Sequence, residues 1–82
     1  MSAHSELNDV LREVVDRLDR TSAHLGTAVP MLEQAKDALN KARRDSDAWH
    51  PVELDRAIGD ARRAIDLVAK ATLAVRDYAT RL

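Results

Sequence analysis

Three histidines, fourteen carboxylates and thirteen basic side chains are the groups with which this chain could do chemistry. His4, His24 and His50 never stand four residues apart, so no two share a helical face as a paired metal site would need. There is no HExxH or ExxH spacing either. Cys is absent, which removes disulfides, thiolate ligands and Cys–His nucleophiles. Two glycines cannot build a phosphate-cradling loop, and no GxSxG elbow occurs. A catalytic carboxyl needs a cleft and a perturbed environment. Here the acids fall four residues before bases, at Glu13–Arg17, Asp16–Arg20, Asp37–Lys41, Asp66–Lys70 and Asp77–Arg81. That spacing reads as solvated helix faces held by weak ion pairs. The residue inventory assigns no catalytic, cofactor-binding or metal-binding residue, and the chain reads as a non-enzyme.

Two basic doublets, Arg43-Arg44 and Arg62-Arg63, are interleaved with Asp45, Asp47, Asp55 and Asp60. Net charge is −1, divided as −3 over residues 1–40, +1 over 41–63 and +1 over 64–82. No block is basic enough to grip a phosphate backbone or an anionic lipid surface, so neither nucleic acid nor membrane is expected as a partner. The longest apolar run, Ala28 to Leu32, is far shorter than the roughly 20 residues that span a bilayer. Met1–Glu6 lacks the basic-then-apolar pattern of a signal peptide. The expected compartment is the cytoplasm, with a leaderless export route as the alternative. Trp49, one of two aromatics, reads as a cap on one end of a core or as an interface anchor.

The elements that must carry these side chains are helices. Leu11, Leu18, Leu25, Leu32 and Leu39 stand seven apart, which returns each to nearly the same helical face. A second heptad position, Leu7, Val14, Thr21, Ala28, Ala35 and Ala42, completes a 4–3 alternation and shrinks from large to small residues along the chain. Val10, Val15, Val29, Met31 and Ala38 flank it and widen the seam toward a bundle face. Ser5 is the expected N-cap. A break falls at residues 45–51, where Pro51 suits a first helical turn. A second run follows through Leu54, Ile58, Ala61, Ile65, Val68, Thr72, Val75, Ala79 and Leu82, beside an alanine stripe at Ala57, Ala64 and Ala71.

The chain is therefore expected to be all-α and a single domain over residues 1–82: one helix over about 5–46, a turn at 47–50 and a second helix over about 51–81. Gly26 to Pro30 admits a kink or a break. A kink gives a helical hairpin that self-associates into a four-helix-type bundle; a break gives a three-helix bundle. Gly26 stands four residues before Pro30, where the proline ring crowds the preceding turn, and can absorb the distortion. A hairpin turning near residue 48 sets Leu82 against Val15 and Thr72 against Leu25. Thr72, or a water, would then satisfy the backbone that Pro30 leaves open. Residues 5–14 would overhang, leaving Leu7, Val10, Leu11 and Val14 bare. With part of Leu18 and with Trp49, these form the expected interface for a homodimer or for a second helical protein.

Trp49 in the turn of a short helical hairpin resembles the WXG family of small type VII secretion substrates, although His50-Pro51 follows where that family has Gly. The resemblance implies a hairpin that pairs into a four-helix bundle, either with itself or with a distinct partner chain, and export. The chain is also similar in its terminal Val75, Tyr78, Leu82 pattern to small uncharacterised actinobacterial helical proteins, a likeness that implies no activity. The function expected is that of a non-enzymatic helical interaction or assembly module acting through its aliphatic heptad stripe. The alternatives are a secretion-linked WXG-like partner and a small regulatory or antitoxin-like protein. No cofactor is expected.

Overall fold

The computed structural model describes residues 3–42 and 52–82 of the chain. Helix α1 spans Ala3–Ala42 and helix α2 spans Val52–Thr80, packed against each other as an antiparallel hairpin. No strand occurs among the described residues. The fold is all-α, as the two heptad runs require. The expected turn, with Trp49, His50 and Pro51, lies outside the described residues.

Helix α1 passes through Gly26 and Pro30 without a break, so the three-helix alternative does not hold. Neither glycine has a positive φ. The helix begins at Ala3, which puts Ser5 inside the first turn instead of at the cap. At the same open end of the hairpin α2 closes with two tight-turn backbone bonds, from the Arg81 N–H to the Tyr78 carbonyl and from the Leu82 N–H to the Ala79 carbonyl.

Three ion pairs bridge the helices and mark the register. Arg62 meets Glu33 at 2.6 Å, Lys36 meets Asp55 at 2.5 Å and Arg76 meets Asp19 at 3.3 Å. These carboxylates are not among the acids read as pairing four residues on within a helix; the interhelical partners are reached because long Arg and Lys stems carry their charges across the seam. Of the i,i+4 pairs expected within a helix, Glu13–Arg17 and Asp77–Arg81 form, each at 2.8 Å.

The seam itself is rotated from expectation. Its α2 side is as read from Leu54 through Ile58, Ala61, Ile65, Val68, Thr72 and Val75 to Ala79, all buried or half-buried. Leu82, the expected last member facing Val15, is exposed, and Val15 lines a cleft with Arg76, Ala79 and Thr80 instead. On α1 the leucines from Leu11 to Leu32 are half-buried, but their companions are Val15, Ser22, Val29 and Lys36. The expected companions Thr21, Ala35 and Ala42 are exposed, and Ala28 is half-buried. The larger Val29 buries more apolar area than Ala28 would, and Lys36 gains Asp55. Buried Thr72 gives its proton to the Val68 carbonyl of its own helix at 2.8 Å. The expectation that its hydroxyl serves the backbone near Gly26 is thereby corrected: a carbonyl one turn back in the same helix is nearer and already aligned.

The molecule is a rod, 68 × 15 × 13 Å, with a radius of gyration of 19.3 Å. A compact chain of this length would have about 12 Å. Among the described residues, only Val29, Ile58 and Thr72 are buried, and no large side chain is fully enclosed.

Candidate interaction surface

The rod has two unlike flanks, and helical spacing decides what stands on each. Asp55 and Arg62 are seven residues apart on α2, and both reach α1. Leu73, eleven residues beyond Arg62, and Arg76 share that flank. On α1, Asp19 and Glu33 are fourteen residues apart and meet it. One flank is thus zipped by the three bridging ion pairs. An open groove of about 440 Å³ runs along it, bordered by Glu33, Lys36, Asp55 and Arg62. Its four bordering charges form the Arg62–Glu33 and Lys36–Asp55 pairs.

The opposite flank carries the alanines. On α2 it holds Ala57, Ala64, Ala71 and Tyr78, seven apart, with Leu67 beside Ala64. On α1 it holds the heptad that was expected in the seam, Leu7, Val14, Thr21, Ala28, Ala35 and Ala42. No ion pair bridges the helices there among the described residues. Arg17 and Asp60, which stand on this flank, are each paired inside their own helix, with Glu13 and Arg63. Leu7, Val10, Val14 and Tyr78 lie toward the open end, and the alanines, with exposed Met31 and Leu39 among them, lie toward the turn.

The expected interface residues divide between these surfaces. Leu7 and Val10 are 37% and 55% exposed, and Val14 is half-buried on the alanine flank. Leu11 and Leu18 are half-buried in the seam. Leu11 was expected to be bare beyond the end of the second helix. Instead it lines one cleft with Val15, Arg76, Ala79 and Thr80, because the register lets α2 run deeper along α1 than a turn centred at residue 48 would allow. Trp49 lies outside the described residues. The signal that sequence reading missed was the seven-residue series Val15, Ser22, Val29, Lys36: two of its four members are polar, which hid it as a seam.

His4 and His24 are exposed, and His50 lies outside the described residues. Among the described residues no group of three or more His, Asp or Glu side chains converges to hold a metal, and no helix is long and apolar enough to cross a membrane. Comparison with protein-family models, with curated proteins and with solved structures finds no match.

Proposed function

We propose that this chain is a non-enzymatic helical assembly module that works by associating with a copy of itself. The observation that carries the reading is the scarcity of core. Val29 and Ile58 are the buried apolar side chains among the described residues, while Leu7, Val10, Met31, Leu67, Leu73 and Tyr78 all stand exposed. Two helices offer each other one stripe apiece, and a rod of this length has no third layer to cover the rest. Stability that a hairpin cannot draw from its own interior must come from association. The layout shared with WXG-type hairpins, which pair into bundles, points the same way.

Stability that comes from association depends on concentration, because binding of the folded form shifts the folding equilibrium by mass action. The thermal midpoint followed by circular dichroism should therefore rise as the chain is concentrated from about 1 to 100 µM, while sedimentation equilibrium reports twice the 9.1 kDa chain mass. A midpoint independent of concentration, together with a monomer mass throughout, would refute self-association and turn attention to a second protein as partner.

A further inference from the structure

We propose that the cleft at the open end of the hairpin binds a small amphipathic carboxylate, its alkyl chain between the two helices and its charge on Arg12 and Arg76. The inference stands apart from the self-association reading and names a ligand instead of a partner chain.

Helical spacing builds the cleft. Leu11 and Val15 are four residues apart on α1 and share a face, as do Asn8 and Arg12 on the next row. From α2 come Arg76 and Thr80, also four apart, and Ala79. The earlier apolar members of the α2 seam include the larger Ile58, Ile65, Val68 and Val75, but its last half-buried member is the small Ala79. Leu82, the next in phase, is exposed and leaves the space beside Ala79 unfilled. That space measures about 380 Å³. Small-molecule sites run from roughly 300 to 1,000 Å³. The apolar part of the lining is aliphatic, and Leu11, Val15 and Ala79 are all half-buried. No aromatic ring lines the cleft to stack on a flat ligand, so an alkyl chain is the better match.

Charge decides what the other end of the ligand carries. The cleft is lined by two arginines, one from each helix, and by no carboxylate. Both arginines are loosely held. Arg12 approaches Asp9 only to 3.9 Å, beyond hydrogen-bond reach. Arg76 meets Asp19 at 3.3 Å. By contrast, Arg17–Glu13 and Arg81–Asp77 close to 2.8 Å and Arg62–Glu33 to 2.6 Å. A guanidinium carries five N–H donors in a planar fork, so Arg12 and Arg76 each keep donors for an incoming anion. A carboxylate matches that fork with two parallel hydrogen bonds. Thr80 gives its proton to the Asp77 carbonyl at 2.7 Å and can still accept a bond from water or ligand. Asp9 and Asp19 stand beside the two arginines and would repel a second negative charge, which favours a singly charged carboxylate over a phosphate dianion.

Octanoate titrated into the full chain tests this, followed through backbone amide signals in two-dimensional NMR at one fixed chain concentration. Saturable shifts should gather at residues 8–15 and 76–80 and leave the amides of Val29 and Ile58, further down the rod, in place. Octan-1-ol and octylammonium keep the chain and change the head group. They should bind about tenfold more weakly or not at all, since neither can take the charge-assisted fork. Arg12→Gln removes a charge that makes no hydrogen bond within the fold, and should weaken octanoate binding about tenfold. Ala79→Leu should fill the cleft and abolish binding, with circular dichroism confirming the helix content. Shifts spread along the whole rod, equal affinity for octanoate and octan-1-ol, or unchanged octanoate binding in either variant each overturn the proposal. So does the absence of any saturable shift. A chain that stays monomeric at every concentration refutes self-association and leaves this test as it stands.

Discussion

Gly26 and Pro30 are the residues least suited to a helix interior, and α1 contains both. Pro30 has no N–H for the Gly26 carbonyl, and its ring crowds that same turn. Gly26 relieves the crowding but adds backbone freedom to the unfolded chain. A methyl group at Gly26 would meet nothing within 4 Å. Gly26→Ala should therefore stabilise the hairpin by about 1 kcal/mol, the difference in helix propensity. Pro30→Ala restores the missing hydrogen bond and should stabilise it by more, up to about 3 kcal/mol. Both are read as a rise in the urea midpoint at fixed chain concentration. A fall for Pro30→Ala would show that the proline is needed where it stands. The hydroxyls of Thr21, Thr27 and Thr72 each bond the carbonyl one turn back, so polar residues in these helices satisfy themselves locally. That is why Thr72 can be buried in the seam without an interhelical partner.

At the scale of the helix pair, packing outweighs the visible charges. Ile58 is buried at the seam, whereas the Arg62–Glu33 pair is about half exposed on each side. Ile58→Ala should cost about 2–4 kcal/mol, the range for deleting buried aliphatic volume. Arg62→Ala should cost under about 1 kcal/mol, as exposed pairs do. Urea denaturation of the two variants at one concentration checks the order, and a larger loss for Arg62→Ala would mean the ion pairs hold the hairpin. The existence of both helices was legible in the leucine ladder and in the run from Leu54, because period-seven spacing survives any tertiary context. The α2 seam was legible residue by residue, from Leu54 to Ala79. The α1 seam was not, because two heptad series lie on either side of the leucines. Hydrophobicity alone favoured Ala28 and Ala35 over a series containing Ser22 and Lys36. What decided between them was Lys36 reaching Asp55 and Val29 filling the space against α2, contacts that exist only once a register is set.

For the whole molecule, the same rotation converts a core expectation into a surface one. Leu7, Val10 and Val14 were readable as association residues because they are apolar beyond what one partner helix can cover. Their surface was not readable as a flank continuous with Ala28, Ala35 and Ala42, since those alanines looked internal. Once the alanines are outside, exposed Met31 and Leu39 stand among them, and Leu7 and Val10 stand exposed further along the same flank, so apolar surface runs along the rod instead of being gathered inside it. A hairpin that buries only Val29 and Ile58 as apolar side chains among its described residues draws little stability from its own interior, which is why its stability should depend on chain concentration.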